Sequence, residues 1–259
     1  MRNRNPLVIA IAALVIALAG WLGFDLAALQ GDPPRGAPTQ TASGLPPPPE
    51  TPPVRTGADP EPQHPVPEDD FDSYLLALSW SPSYCEHEAT ERDRLQCGGR
   101  PYHFIVHGLW PQNDRGYPED CPTDTPRVPD ALVDEMLDIM PARGLVGHEW
   151  RSHGACTGKT QEQYFATVRA AWEAVVVPPR FEQLDTALYL SPRDIVQEFI
   201  RANPMLKPDQ IAVTCSKQAL DEVRVCMTRD LQFTACGAQA RRSMCRQDRI
   251  RMPPVRLSR

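Results

Sequence analysis

Two short apolar runs in the middle of the chain have the composition of buried strands. The first extends from Tyr74 to Trp80, and the second from His103 to His107, directly before Gly108. Short apolar runs bounded by turn residues are typical of strands in a sheet. Three further stretches of this kind lie nearer the C-terminus: Ile211 to Thr214, Glu222 to Met227 and Arg249 to Val255.

Between these strands, apolar residues recur with helical spacing. The segment from Asp130 to Met140 shows this spacing, and Thr160 with Gln163 forms a capping-box pattern that opens a second helix. A third helix is predicted to begin at Ser191-Pro192 and to end near Asn203. Helices in the middle and strands at both ends predict an α+β fold, with a mostly antiparallel sheet and helices packed on one side.

The N-terminal part of the chain has a different pattern. Arg2 and Arg4 precede an uncharged apolar run, residues 7–24, and this order is typical of an export signal. The run is also at the short end of a membrane span, so residues 1–29 are predicted to be either a signal peptide or an uncleaved membrane anchor. Either interpretation predicts an exported protein, periplasmic or secreted, which the anchor would tether to a membrane.

Composition separates a linker from the folded part. Thirteen of the 29 prolines lie between residues 31 and 70, together with seven acids and two arginines. Such a segment buries too little apolar surface to fold, so residues 30–70 are predicted to be a disordered linker. Residues 71–259 remain for a single domain.

Charge excludes one broad class of function. The net charge of −6 argues against a protein that coats nucleic acid indiscriminately. Residues 241–259 reverse this balance, with seven arginines and one acid. This stretch is either the exposed face of a terminal strand or a surface that attracts a polyanion.

All eight cysteines lie in the predicted domain. An even number of cysteines in an exported chain predicts four disulfides. A metal site would favour paired Cys-x-x-Cys spacings, which the sequence lacks. The spacings alone leave the pairing open.

Two stretches concentrate residues with catalytic chemistry. In residues 104–112, His107 ends a predicted strand, Gly108 allows a close approach and Trp110 follows. In residues 148–156, a helix of about 100° per residue would place four polar side chains within about 140° of one another. These are His148, Glu149, Ser152 and His153.

Two further residues of this stretch point elsewhere. Trp150 is predicted to face the core, and Arg151 lies beside His148 and away from His153. A zinc protease would need its two histidines one turn apart and a third ligand. A nucleophilic Cys156 would need a free thiolate. Neither pattern fits.

The chain resembles a bacterial-type member of the ribonuclease T2 family, the secreted acid-type endoribonucleases. Residues 104–111 match the first family motif throughout, and residues 148–156 match the second at every position but one. The family has Lys or Arg directly before the second histidine, where this chain has Ser152. The resemblance extends from about Asp72 to Val255.

The resemblance implies an endoribonuclease that needs no metal or other cofactor. It would cleave single-stranded RNA through the 2′-hydroxyl, giving 2′,3′-cyclic phosphates and then 3′-phosphate ends. By position, His153 resembles the general base and His107 the general acid. His148 resembles a phosphate-binding residue, Glu149 the carboxylate that works with a phosphorane-stabilising cation, and Trp110 an aromatic that stacks on a base. With Ser152 neutral, Arg151 is the nearest candidate for that cation.

The resemblance also implies the disulfides: Cys85–Cys97, Cys121–Cys156, Cys215–Cys245 and Cys226–Cys236. It implies a monomer with no stable protein partner. Two other functions remain open, a non-catalytic exported RNA-binding relative and an exported adhesion module. The adhesion module does not explain the polar helix face.

Overall fold

The computed structural model describes residues 70–256. The predicted leader and the linker up to residue 69 lie outside the described residues. The elements, in chain order, are β1 (Ser73–Trp80), α1 (Ser81–His87), α2 (Arg94–Cys97), β2 (Phe104–Gln112), α3 (Asp130–Met136), α4 (Arg143–Ser152), α5 (Gln161–Glu173), α6 (Pro179–Glu182), β3 (Leu188–Leu190), α7 (Pro192–Ala202), β4 (Ile211–Ser216), β5 (Ala219–Thr228), α8 (Ala238–Arg242) and β6 (Ile250–Met252).

Six strands form one sheet in the order β2-β1-β5-β6-β3, with β4 also paired to β5. Four of the five pairings are antiparallel, and β5 runs parallel to β6 where Ala219 faces Arg251. The predicted α+β class with a mostly antiparallel sheet is confirmed.

The main core lies on one face of this sheet. Side chains alternate between the two faces of a strand, and Leu76, Leu78 and Trp80 of β1 are fully buried in the same cluster as Phe165 of α5 and Phe199 of α7. The opposite face carries a much smaller apolar cluster, in which Leu75 packs with Cys226, Cys236 and Ala240 of α8. The predicted one-sided packing therefore describes the main core, and the other face is only partly covered.

The predicted capping box forms at the start of α5, and a second capping box forms at the start of α7. The backbone N–H of Gln163 donates to the Thr160 hydroxyl, and the Thr160 N–H donates to the Gln163 side chain. Ser191 and Asp194 make the same reciprocal pair at the start of α7. These bonds satisfy donors at the first turn that have no partner within the helix.

Several predicted boundaries shift. The helix predicted to reach Met140 ends at Met136, and the chain beyond it turns so that the Ile139 carbonyl accepts a hydrogen bond from the Val106 N–H on β2. The last predicted strand is shortened to β6. Helix α1 and strand β3 are additional elements, and α1 has Pro82 in its first turn, where a missing N–H does no harm.

Four disulfides link the cysteines: Cys85–Cys97, Cys121–Cys156, Cys215–Cys245 and Cys226–Cys236. They are the pairs that the family resemblance implies. None of the helices in the described part of the chain combines the length and the apolar composition that crossing a bilayer requires.

We expect a chain that begins at Asp70 to fold alone, because the main core starts at Phe71 and all four disulfides lie after it. Its thermal unfolding should be cooperative, with a melting temperature within about 2 °C of the full chain, which corresponds to less than about 1 kcal/mol. Loss of a cooperative transition would show that earlier residues stabilise the domain.

Candidate active site

A β-bulge in β2 determines which of its side chains face the core. Ala77 of β1 pairs with Gly108 and Leu78 pairs with Val106, so His107 is an extra residue without a partner in β1. Bulges of this kind redirect side chains. The shift in alternation lets Val106 and Leu109 both enter the main core. His107 and Trp110 are left on the opposite, partly open face.

Strand β5 contributes two charged residues to this open face. Val223 and Val225 are fully buried in the core, so Glu222 and Arg224 point to the other side of the sheet. Between β5 and β2 lies β1, which presents the small residues Ala77 and Ser79 to that face. Long side chains from the two outer strands can therefore meet above β1.

His107 lies between two carboxylates. Its Nδ1 is 2.5 Å from Oε1 of Glu222, and its Nε2 is 3.8 Å from Oε1 of Glu149. An ionised carboxylate can only accept, so Nδ1 donates to Glu222. Burial by itself lowers the pKa of His107, but the hydrogen bond and charge of Glu222 outweigh it, and the net effect is a pKa above the ordinary value of 6.5.

Helix α4 brings Glu149 against the backbone of β2. The Glu149 side chain is only 1% exposed, and its Oε2 accepts a hydrogen bond of 2.8 Å from the Trp110 indole. Its carboxyl group occupies the space that a side chain at position 108 would need, which is why Gly108 is required there. Burial raises the pKa of Glu149 to about 7. Its Oε1 has no hydrogen-bond partner among the described residues.

His153 lies just after α4 rather than on it. The predicted polar helix face is wrong at this position, because α4 ends at Ser152 and His153 has φ −128° and ψ −46°. The ring centre of His153 is 5.4 Å from that of Trp110. The ring centre of His107 is 5.3 Å from the same indole. Burial, and then the nearby His148 and His107, lower the pKa of His153 to about 4.

A disulfide fixes the turn that carries His153. Cys156 follows in a short 3₁₀ segment, Gly154–Thr157, and is bonded to Cys121 in the loop after β2. The same loop holds the end of α4, since the Asp120 N–H donates to the Ser152 carbonyl and the Ser152 hydroxyl donates to Asp120. Ser152 is thus buried in a loop contact.

His148 joins the site and Arg151 does not. His148 is exposed on α4 and lines a cavity of about 690 Å³ together with His107, Glu222 and Arg224. Arg151 lies two residues beyond Glu149, nearly opposite it on a helix. It lines a separate groove with Arg127, Arg143 and Gly147. The structure therefore places Arg151 away from the cavity that His107 and His148 line.

The guanidinium that does accompany them belongs to Arg224. Its Nε and Nη2 each lie 2.7 Å from Oε2 of Glu222, and its central carbon is 5.2 Å from the centre of the Trp110 ring. Glu222 and Arg224 are not among the site residues predicted from the sequence. A signal was present, because charged residues alternate with valines along a strand predicted to be buried.

The tryptophans of the two motifs have different surroundings. Trp150 is 2% exposed in the main core, as predicted, and its indole donates to the Thr125 carbonyl. Trp110 is partly exposed and borders a second cavity of about 210 Å³. Tyr117, Gln112 and His153 also line that cavity. Within residues 70–256, no cluster of three or more His, Cys, Asp or Glu side chains is arranged to hold a metal ion.

Comparison with known proteins identifies a family. The model of the ribonuclease T2 family matches residues 71–236. A "Ribonuclease" of Aeromonas hydrophila is 43% identical over 95 residues, covering 37% of this chain and 42% of that protein. A "Probable ribonuclease" of Haemophilus influenzae is 30% identical over 181 residues, covering 65% of this chain and 62% of that protein. The chain thus spans less than two thirds of both relatives.

The fold has a counterpart among solved structures. An RNase-related protein from Calystegia sepium aligns with a TM-score of 0.57 at 19% identity, over 72% of this chain and 98% of that one. At this identity, the likeness concerns the fold alone.

We expect Gly108→Ala to destabilise the protein, because the added methyl group would overlap the Glu149 carboxyl and the Trp110 indole. Such overpacking costs about 1–3 kcal/mol. The control is Gly144→Ala, at a helical position with open space around it, where alanine should be neutral or stabilising by up to about 1 kcal/mol. Equal melting temperatures for the two variants would contradict the close approach of Glu149.

Proposed function

The chain belongs to the ribonuclease T2 family, and we propose that it is a metal-independent endoribonuclease that cleaves single-stranded RNA. The observation that carries this proposal is the pair His107 and His153. Their rings flank Trp110, and their surroundings shift their pKa values in opposite directions. One imidazole that stays neutral beside one that stays protonated is the arrangement that general acid–base transesterification needs.

In the first step, neutral His153 accepts the proton of the ribose 2′-hydroxyl. The 2′-oxygen attacks phosphorus, the bond from phosphorus to the 5′-oxygen breaks, and protonated His107 gives a proton to that leaving oxygen. The products are a 2′,3′-cyclic phosphate and a free 5′-hydroxyl end. In the second step the roles reverse, and water opens the ring to a 3′-phosphate.

The pKa values support these roles rather than the exchanged ones. His153 has a pKa of about 4, and that of His107 is raised above 6.5. Molecules with His153 neutral and His107 protonated therefore outnumber those with the opposite arrangement by more than about a hundredfold.

Glu149 has a pKa of about 7, so at mildly acidic pH its carboxyl group is largely neutral. A neutral carboxyl does not repel the negative charge that gathers on the phosphorane, and it can donate a hydrogen bond to it. We assign this role to Glu149 and phosphate binding to His148, which faces the larger cavity beside His107.

Trp110 is assigned to base binding. The cavity beside it, about 210 Å³, is also lined by Tyr117 and Gln112. A partly exposed indole, a phenol ring and an amide offer stacking and hydrogen bonding to one nucleobase. Arg151 has no role in this proposal, because it lines the separate groove on the far side of α4.

The proposal includes export as a monomer. Four disulfides and the lack of free cysteines in the described residues suit an oxidising compartment outside the cytoplasm. The predicted signal or anchor, residues 7–24, would direct it there. Whether that segment is removed can be read from the N-terminal sequence of the purified protein.

We expect the protein to cleave RNA in the presence of EDTA and to leave DNA intact, because only RNA carries the attacking hydroxyl. Chromatography of the products should show 2′,3′-cyclic phosphates before 3′-phosphates. Equal degradation of DNA, or activity abolished by EDTA, would rule out the transesterification. Tight binding of RNA without any cleavage would establish the non-catalytic alternative.

We expect kcat/KM to form a broad bell against pH. Activity should rise as pH increases through about 4, where His153 loses its proton, and fall above 6.5 as His107 loses its own. His107→Ala and His153→Ala should each lower kcat by about 10²–10⁴-fold, with melting temperatures little changed. A profile that rises only above neutral pH would reverse the assignment of base and acid.

A further inference from the structure

The hydrogen bond between His107 and Glu222 spans a whole strand. β2 and β5 flank β1, so their backbones are about 10 Å apart. The imidazole and the carboxylate nevertheless meet at 2.5 Å, above Ala77 and Ser79 of β1. A larger side chain at either position of β1 would stand between them.

Glu222 is a buried carboxylate with a separate partner for each oxygen. Its side chain is 5% exposed; Oε1 accepts from His107, and Oε2 accepts from Arg224. Hydrogen bonds and the charges of His107 and Arg224 hold the pKa of Glu222 below its ordinary value although burial opposes this. The contacts with His107 and Arg224 therefore favour the ionised form of Glu222.

Arg224 is held in place on three sides. Nε and Nη2 both contact Oε2 of Glu222, and Nη1 donates to the Ser243 hydroxyl at 3.0 Å. The guanidinium also lies against the Trp110 ring. Its side chain is only 20% exposed. An arginine restrained in this way fixes the orientation of the carboxylate that it binds.

An ion pair that served only to stabilise the sheet would not need the histidine. Arg224 already balances the charge of Glu222 at one oxygen, and yet the other oxygen is directed at His107, whose side chain is 40% exposed in the site. A carboxylate on Nδ1 determines which ring nitrogen carries the exchangeable proton. Here it leaves Nε2, on the Glu149 side, to act on substrate.

We propose that Glu222 is the positioning residue of His107, which it holds through Nδ1 so that Nε2 faces the reacting phosphate, and that Arg224 acts by fixing Glu222. This inference rests on the proposed function for its catalytic consequence. Its structural part concerns only the state of the His107 ring, which can be measured without substrate.

Other charged groups also surround His107. Arg224 and Asp221 face it from β5, Glu149 and His148 from α4, and His153 from the turn after α4. Glu222 makes a direct hydrogen bond to the ring and raises its pKa, whereas burial and the charge of Arg224 lower it. Removing the Glu222 charge should therefore leave His107 easier to deprotonate.

The experiment compares the wild type with Glu222→Gln, which keeps the shape and removes the charge. The pKa of His107 is measured by NMR titration of the six histidines, with the His107 signal assigned from its loss in His107→Ala. We expect this pKa to fall by about one unit or more. The alkaline limb of the kcat/KM profile should shift to lower pH by a similar amount. The value of kcat should fall by about tenfold or more, with KM changed little.

The matched control is Glu198→Gln, since Glu198 is also a little-exposed glutamate that binds an arginine, Arg180, at 2.7 Å, but on α7. It should leave the His107 titration and the pH profile unchanged. Both variants should melt cooperatively. If Glu222→Gln does not, the titration is done on Glu222→Asp, which keeps the negative charge but moves it away from the His107 ring. This variant should lower the pKa of His107 by less than about one unit. A His107 pKa unchanged by Glu222→Gln would overturn the proposal.

A double-mutant cycle tests whether Arg224 acts through Glu222. Arg224→Lys keeps a positive charge but cannot contact Oε2 of Glu222 with two nitrogens held in one plane. We expect it to lower kcat, and we expect Glu222→Gln/Arg224→Lys to lower kcat no further than Glu222→Gln alone. If the two losses multiply instead, Arg224 acts independently and its place in the proposal is wrong.

Failure of this inference can be told from failure of the proposed function. A wild type that makes cyclic phosphates while Glu222→Gln keeps both the His107 titration and full activity contradicts the positioning role alone. A wild type that cleaves no RNA contradicts the endoribonuclease, and the NMR titration still decides whether Glu222 controls His107.

Discussion

The extra residue at His107 is the constraint on which the arrangement of the site depends. A strand without a bulge would send Val106 and Leu109 to opposite faces, because their positions differ by an odd number. With the bulge, both enter the core, and His107 and Trp110 share the other face. The apolar contacts that stabilise β2 therefore also hold His107 and Trp110 in place, and the sheet separates a buried face from a partly open one.

Local signals in the sequence predicted the elements well, and long-range contacts account for the errors. The capping residues at Thr160 and Ser191 act within a few residues, so their helices begin where predicted. His153 was predicted to lie on the helix, but the Cys121–Cys156 bond and the loop contacts of Ser152 end α4 at Ser152, one residue before it. These contacts join residues that lie 32 and 35 positions apart in the chain, and the local periodicity of the sequence does not predict contacts over such separations.

The site was predicted only in part, because the sequence motifs are local and the contacts between distant residues are not. The two motifs supplied His107, Glu149 and His153, but the partner of His107 lies 115 residues away on β5. Only the strand order, with β1 between β2 and β5, brings them together. The opposite pKa shifts of the two histidines follow from this placement. His107 gains a hydrogen-bonded carboxylate, whereas burial and the neighbouring histidines outweigh the effect of Asp120 on His153.

The separation of the two sheet faces has a consequence for how such a protein can change. Two residues that border the small cavity lie near the surface: Tyr117, in a loop, is 42% exposed, and Gln112, at the end of β2, is partly exposed. Substitutions there alter what the cavity admits without removing atoms from the main core. Ligand preference and thermal stability are thus carried by different atoms, so selection or engineering can alter one with little penalty in the other.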